Sequence, residues 1–164
     1  MPQVTVILPT WNRAKWLKMS IESVLSQTFQ DFELFVVDAA STDSTGEILE
    51  SYSGKIMTIL LPENLGVSAA RNTAIVQSDS KWIAFLDSDD YWHAKKLEKQ
   101  IKQTRLCTEN QIHFTDEIWI RNGIRVNSKN KHRKKEGWIF KPCLSLCLMA
   151  PSTVMLHREL LERH

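Results

Sequence analysis

Cysteine is scarce in this 164-residue sequence: Cys107, Cys143 and Cys147 are odd in number, and no histidine stands at zinc-ligand spacing from them. This usage argues against a structural zinc site and predicts a reducing compartment. No apolar run is long enough to span a bilayer, and the N-terminus lacks the basic-then-apolar pattern of a signal peptide. We therefore expect a cytoplasmic protein.

Glycine-rich signatures are also missing. The sequence has only five glycines and five prolines, and it contains neither a dinucleotide fingerprint after the first apolar run nor a phosphate-binding P-loop. Their absence argues against a dehydrogenase and against a P-loop ATPase or kinase. The hydrophobic share of 43% is ordinary for a soluble globular protein. The length fits one domain with a full core, or one domain and an incomplete second.

The net charge is only +2, but it is unevenly distributed. Residues 1–90 hold 6 Lys or Arg against 12 Asp or Glu, whereas residues 91–164 hold 15 against 7. This asymmetry suggests an acidic, metal-holding half and a basic half that faces phosphate, an anionic acceptor or a membrane; ordinary solvated surface is the alternative. The basic stretch Lys129–Lys135 is interpreted first as a solvated loop and second as a peripheral membrane contact. We expect no nucleic-acid partner, and the sequence leaves a homodimer open.

Strand and helix patterns alternate four times in the first hundred residues. Apolar, β-branched runs predict strands, and apolar residues at helical spacing predict helices. The predicted strands are Val4–Leu8, Glu33–Val37, Ile56–Leu61 and Trp82–Leu86. The predicted helices are Lys15–Gln27, one containing Ile48, Leu49 and Tyr52 with N-cap candidates Ser41, Thr42 and Asp43, then Val67–Val76 and His93–Leu106. This alternation predicts an α/β fold with a doubly wound, mainly parallel sheet.

The pattern changes after residue 106. Two short β-like runs between Ile112 and Asn127 flank Asn122-Gly123, a dipeptide typical of a two-residue hairpin turn. Pro151–Leu156 is compatible with a further strand, and Arg158–Glu162 with the start of a helix.

The stretch Trp82–Trp92, WIAFLDSDDYW, is the most informative in the sequence. An apolar strand pattern ends abruptly in Asp87, Ser88, Asp89 and Asp90, which places mutually repelling carboxylates together. A divalent cation explains such a cluster, because Mg²⁺ and Mn²⁺ take oxygen ligands and bridge carboxylates to phosphate. The alternative is a polar loop in which one Asp caps a helix that begins near Tyr91.

Polar clusters follow three of the predicted strands, at Thr10–Arg13, Asp38–Asp43 and Asp87–Asp90. The carboxyl ends of parallel strands share one edge of the sheet, and ligands of such sheets bind there. The three clusters together therefore predict a nucleotide or sugar-nucleotide site.

Four segments in this order resemble the family-2 glycosyltransferases, an inverting family with the GT-A fold: VILPTWNR, SIESVLSQTFQDFELFVVD, ENLGVSAARNTAI and FLDSDDYW. The segment PSTVMLHRELLE is more weakly similar to the region that precedes the acceptor side of the family. The resemblance implies a Rossmann-like sheet with helices on both faces. It also implies a donor-binding core at residues 1–110, followed by a hairpin and an incomplete acceptor-side region of the same domain at 111–164.

The resemblance implies transfer of a sugar, with inversion, from a UDP- or GDP-linked donor to an unknown glycan, lipid or protein acceptor. Carried over residue by residue, it implies that Thr10 and Asn12 line the nucleoside pocket, Asp38 lies near the base or ribose, and Arg71 approaches the diphosphate. Asp87 and Asp89 are the implied ligands of Mn²⁺ or Mg²⁺. The whole implied nucleotide-sugar set is Pro9, Thr10, Asn12, Arg13, Asp38, Arg71, Asp87 and Ser88.

Two departures from the family pattern leave alternatives open. The family usually has an acidic residue and then Gly after the position of Asp38, where this chain has Ala39 and Ala40, so we expect relaxed base recognition. The family also places its general base beyond the point where this chain stops, and the spacing of Asp116 and Glu117 does not support that role. A non-catalytic or truncated nucleotide-sugar-binding module is therefore the alternative function, and a nucleotidyltransferase on a similar sheet is a third.

Overall fold

The computed structural model describes residues 1–109, 111–126, 134–135, 137–146 and 148–162. Most of the basic stretch that begins at Lys129 lies outside the described residues, as does Cys147. The strands are β1 Val4–Thr10, β2 Phe32–Asp38, β3 Met57–Leu60, β4 Trp82–Phe85, β5 Ile112–Phe114, β6 Trp119–Arg121, β7 Ile124–Val126 and β8 Val154–His157. The helices are α1 Ala14–Leu25, α2 Thr45–Ser51, α3 Val67–Gln77, α4 Lys96–Leu106, α5 Phe140–Ser145 and α6 Arg158–Glu162.

Six strands form one sheet in the order β3-β2-β1-β4-β8-β5. The first four are parallel, and β8 runs antiparallel to both β4 and β5. All seven residues of β1 are buried, as expected for a central parallel strand covered on both faces. The predicted mainly parallel sheet is confirmed.

Helices cover both faces because side chains alternate along each strand. On one face, Val6 and Leu8 of β1 pack in a core with residues of α1, α2 and α4. On the other face, Ile7 packs with the small residues Ala70 and Ala74 of α3. The absence of bulk at these two alanines allows α3 to lie close to the sheet, at the edge where the polar loops emerge.

The acidic loop and the following helix differ from one sequence prediction. The helix predicted from His93 begins at Lys96 and its N-cap is Lys95, whose side chain makes no capping hydrogen bond; in its first turn Leu97 N donates instead to Gln27 Oε1 at 3.0 Å. The alternative in which an Asp caps a helix near Tyr91 is therefore wrong. The residues that follow β4 form a loop instead, with one turn in which Asp90 N donates to Asp87 O at 3.0 Å.

The hairpin prediction is confirmed in part. Asn122 and Gly123 adopt positive φ angles of 51° and 75° and connect the short strands β6 and β7. Ile112–Phe114, however, is not part of the hairpin: it forms β5 and pairs with β8 at the edge of the main sheet. The segment after residue 110 therefore contributes two strands, β5 and β8, to the same sheet. Among the described residues no helix is long and apolar enough to cross a bilayer.

Candidate functional site

A pocket of about 520 Å³ opens at the carboxyl edge of the sheet. Its walls come from the residues that follow β1, β2 and β4, from the amino end of α3, and from a short 3₁₀ turn, Pro151–Thr153, that precedes β8. The lining residues are Pro9, Thr10, Trp11, Arg13, Ala39, Asn64, Gly66, Val67, Ala70, Arg71, Asp87, Ser88, Asp89 and Pro151. The pocket thus lies where the topology of a doubly wound sheet places ligands.

Seven of the nine implied site residues line this pocket, and Asn12 and Asp38 do not. Asn12 instead joins two loops: its N–H donates to Ser41 Oγ at 2.8 Å, and its Oδ1 accepts from Thr42 N at 2.8 Å. The buried Asp38 carboxylate accepts from both the N–H and the hydroxyl of Ser41. Both side chains make hydrogen bonds that hold the loops of the pocket wall together. Their contacts with a ligand stay predictions.

Asp43 fastens the same two loops from outside the pocket. Its Oδ1 accepts from Thr45 N at 3.0 Å and its Oδ2 accepts from Ala14 N at 3.2 Å, so one carboxylate binds the first amide of both α1 and α2. Hydrogen bonds from Thr45 lower the pKa of Asp43 below its ordinary value. The N-cap residue of α2 is Ser44, so none of the predicted candidates Ser41, Thr42 and Asp43 is the N-cap, although the Asp43 side chain accepts from the first amide of the helix.

Arg71 and Asp87 form an ion pair at the pocket. The Arg71 Nη2 and Asp87 Oδ1 atoms are 2.5 Å apart, and the guanidinium lies 5.4 Å from the centroid of the Phe85 ring. Arg71 Nε is buried and has no hydrogen-bond partner among the described residues. Because a guanidinium has five N–H donors, the pair leaves donors available for an anion in the pocket.

The carboxylates of the acidic loop separate into two groups. Asp87 and Asp89 line the pocket, whereas Asp90 does not and accepts a hydrogen bond from Ser152 Oγ at 2.6 Å. Loss of hydration raises the pKa of Asp90 above its ordinary value; the charges of Asp87 and Asp89 act in the same direction, against the Ser152 hydrogen bond. No group of three or more His, Cys, Asp or Glu side chains in the described part of the chain is arranged to hold a metal ion.

Several lining residues were outside the predicted set. Trp11 lies half-exposed in the pocket wall, and Ala39 presents only a methyl group there. The Asn64–Gly66 turn closes another side: Gly66 N donates to Asn64 Oδ1 at 2.9 Å, and the φ of Gly66 is 90°. The sequence signal for this turn was the Asn-Leu-Gly that precedes the small-residue helix. The segment that begins at Pro151 was recognised in the sequence, but no local signal placed Pro151 at the pocket, which it reaches through the pairing of β8 with β4.

The sequence model of the protein family described as "Glycosyl transferase family 2" matches residues 5–163 of this chain. The chain belongs to this family. The resemblance stated from the four sequence segments is thereby confirmed. Among solved structures, Staphylococcus aureus TarS 1–349 in complex with UDP superposes with a TM-score of 0.81 at 26% identity, over 98% of this chain and 48% of that chain. The structural likeness confirms the GT-A fold.

Two curated relatives extend the comparison. The chain is 40% identical over 163 residues to "Putative teichuronic acid biosynthesis glycosyltransferase TuaG" of Bacillus subtilis, covering 96% of this chain and 63% of the relative. It is 36% identical over 163 residues to "UDP-Glc:alpha-D-GlcNAc-diphosphoundecaprenol beta-1,3-glucosyltransferase WfgD" of Escherichia coli, covering 97% of this chain and 62% of the relative. The chain thus spans less than two thirds of the length of these relatives.

Proposed function

We propose that the protein is a glycosyltransferase that binds a nucleoside-diphosphate sugar in the pocket at the carboxyl edge of the sheet. The observation that carries the proposal is the Arg71–Asp87 ion pair in the pocket wall, with Asp89 beside it. A guanidinium and two carboxylates at the carboxyl edge of a doubly wound sheet are suited to bind a diphosphate together with a divalent metal ion. A UDP-linked donor is favoured over a GDP-linked one, because TarS was solved with UDP and WfgD is named for UDP-Glc.

The donor set fits Mn²⁺ or Mg²⁺. Asp87 and Asp89 both offer carboxylate oxygens to the pocket, and oxygen is the ligand that these ions prefer. Two protein carboxylates leave most of the coordination shell for diphosphate oxygens and water, as is usual for Mg²⁺ at phosphate sites. When bound, the cation would supply charge stabilisation to the leaving diphosphate.

The described residues can support the transfer step as follows. Arg71 would donate hydrogen bonds to the diphosphate oxygens on which negative charge grows as the bond to the sugar breaks. An acceptor oxygen would attack the anomeric carbon from the face opposite the diphosphate, which inverts the configuration. A general base must take the proton of that hydroxyl, and this residue stays unassigned.

The acceptor is proposed from the relatives. TuaG is named for teichuronic acid biosynthesis, and WfgD is named for a diphosphoundecaprenol-linked acceptor. We extend this to a growing surface polysaccharide, carried on a lipid, as the acceptor class. The non-catalytic alternative is not favoured, since the relatives are named as glycosyltransferases.

Calorimetric titration with UDP, with and without Mn²⁺, tests the donor site. We expect Mn²⁺ to tighten UDP binding, and Asp89→Asn to remove that gain because it deletes one anionic ligand. Asp79→Asn is the matched control, since Asp79 is an exposed residue near the amino end of β4, at the opposite edge of the sheet. Equal UDP affinity of wild type with and without Mn²⁺ would contradict the metal site, and absence of any UDP binding would contradict the proposal as a whole.

A further inference from the structure

The loop between β4 and α4 carries the acidic side chains of the pocket, and its residues belong to no helix or strand. Leu86 N still donates to Ile7 O of β1 at 3.0 Å, but α4 does not begin until Lys96. The positions of Asp87 and Asp89 therefore depend on contacts that other parts of the chain make with this loop.

Ser152 binds three polar groups of the loop. Its hydroxyl accepts from Asp87 N at 3.1 Å and donates to Asp90 Oδ2 at 2.6 Å, and its carbonyl accepts from Trp92 Nε1 at 2.7 Å. Ser152 is only 8% exposed, so water competes little for these hydrogen bonds. One buried residue thus contacts residues 87–92 at the beginning, the middle and the end, and Ser20 Oγ adds hydrogen bonds to Ser88 O at 3.0 Å and Asp90 O at 2.6 Å.

Strand pairing explains why Ser152 reaches this loop from a distant part of the sequence. β8 runs antiparallel to β4 with Ala84 opposite Met155, and the same register continued by three residues brings Ser152 opposite Asp87. The 3₁₀ turn that contains Ser152 is itself held by α4, because Gln100 Nε2 donates to Thr153 O at 3.1 Å. The hydroxyl is therefore held by the strand and the helix that flank the loop, not by the loop itself.

We propose that Ser152 is a positioning residue of the nucleotide-sugar pocket. Its hydroxyl holds the Asp87 backbone in the position from which the Asp87 side chain contacts Arg71. The hydrogen bond from the same hydroxyl to Asp90 keeps the Asp90 carboxylate outside the pocket. Asp87 and Asp89 then face the donor without a third competing carboxylate. The inference rests on the proposed donor site, and it assigns to Ser152 no contact with the ligand.

Two substitutions in the same 3₁₀ turn test this role. Ser152→Ala removes the hydroxyl that binds the loop; Thr153→Val removes a neighbouring hydroxyl that binds Ala150 O within the turn. In the presence of Mn²⁺ we expect Ser152→Ala to weaken UDP binding by about tenfold, as for the loss of the two buried hydrogen bonds of its hydroxyl. Thr153→Val should stay within about twofold of wild type. Amide hydrogen exchange at residues 87–92 should accelerate only in Ser152→Ala.

A second pair of substitutions changes the other end of the hydrogen bond. Asp90→Asn keeps a side-chain oxygen for Ser152 and removes the charge, whereas Asp90→Ala removes the acceptor. We expect Asp90→Asn to bind UDP with Mn²⁺ nearly as wild type does, and Asp90→Ala to be weakened to a degree similar to Ser152→Ala. Equal weakening by both would mean that the charge of Asp90 acts on the ligand directly, and it would overturn the inference.

The outcomes separate the two proposals. If wild type binds UDP and Ser152→Ala binds it equally well, the role of Ser152 is overturned while the donor site stands. If wild type binds no UDP with or without Mn²⁺, the proposed function is overturned, and the inference with it. If Ser152→Ala does not fold, the Asp90 pair decides the question, since Asp90 is an exposed loop residue in neither core, although its carboxylate loses part of its hydration.

Discussion

The Arg71 guanidinium on α3 lies 2.5 Å from the Asp87 carboxylate that follows β4. This contact joins two of the sequence segments that resemble the family, and it does so inside the pocket wall. The positive charge lowers the cost of placing Asp87 and Asp89 close together. It also explains how an acidic loop can face a site that is proposed to receive a diphosphate.

Substitution of Arg71 should weaken nucleotide binding more than it weakens the fold. We expect Arg71→Ala to lower UDP affinity by at least about tenfold in calorimetry with Mn²⁺, because charge-assisted hydrogen bonds to phosphate are lost. Arg71→Lys should be intermediate, since it keeps the charge and loses the planar set of donors. Arg105→Ala, in the last turn of α4 and outside the pocket lining, is the control. Unchanged affinity in Arg71→Ala would contradict the diphosphate role.

The small side chain of Ala39 should reduce base selectivity. Ala39 lines the pocket where the family resemblance implies an acidic residue. We expect wild type to bind UDP and GDP with affinities within about tenfold of each other, since no carboxylate at this position can accept hydrogen bonds from one base in preference. Ala39→Asp should widen the ratio of the two affinities. A sharp preference in wild type would show that other groups recognise the base.

Ala40 occupies backbone geometry that favours glycine. Its φ is 60°, in the left-handed region that costs an L-residue about 1–2 kcal/mol. The family usually has Gly at this place. Ala40→Gly should therefore raise the free energy of unfolding by roughly 0.5–1 kcal/mol, after the greater freedom of glycine in the unfolded chain is subtracted. Urea denaturation measures the change.

Ala39→Gly is the matched control for that substitution. Ala39 is buried and is not among the residues with positive φ, so the change removes a packed methyl group without relieving any backbone strain. It should lower the free energy of unfolding by about 1 kcal/mol. The same sign of effect at both alanines would contradict the explanation from φ.

Lys96 should make stability depend on pH. It is only 7% exposed, its Nζ lies 3.9 Å from the centroid of the Trp92 ring and donates to Gln100 Oε1, and burial lowers its pKa to about 7. Between that pKa and about 10.4, the value in an unfolded chain, the unfolded state binds more protons than the folded state. Stability therefore rises with pH across this range, by at most about 1.4 kcal/mol per pH unit. Below the folded pKa, Lys96 is charged in both states, so its destabilising effect is greatest there and does not change with pH.

The measurement compares wild type with Lys96→Met, which keeps an unbranched side chain over Trp92 and cannot be charged. The difference in unfolding free energy between them, measured in urea at pH 6.5 and at pH 9, should shift in favour of wild type at the higher pH. Other titrating groups are common to both proteins and cancel. Parallel pH profiles would show that Lys96 keeps its proton throughout, and the low pKa would be contradicted.

The sequence by itself determined the order of the first four strands and helices, the parallel part of the sheet and the edge that carries the pocket. These features follow from local periodicity: an apolar run such as Val4–Leu8 and a polar cluster directly after it are visible within ten residues. The resemblance to the family predicted seven of the residues that line the pocket. These residues could be predicted because each lies within or next to a short contiguous motif.

Tertiary structure alone decided which polar groups meet. Ser152 reaches Asp87 and Asp90, and Asn12 reaches Thr42, across separations that no local pattern encodes. Because β8 lies between β4 and β5 in the sheet, Ser152 comes next to Asp87 and Asp90. For the same reason Ile112–Phe114 pairs with β8 and not within the predicted hairpin. Such contacts depend on strand register, and register is settled by the packing of whole elements rather than by the residues at either end of one hydrogen bond.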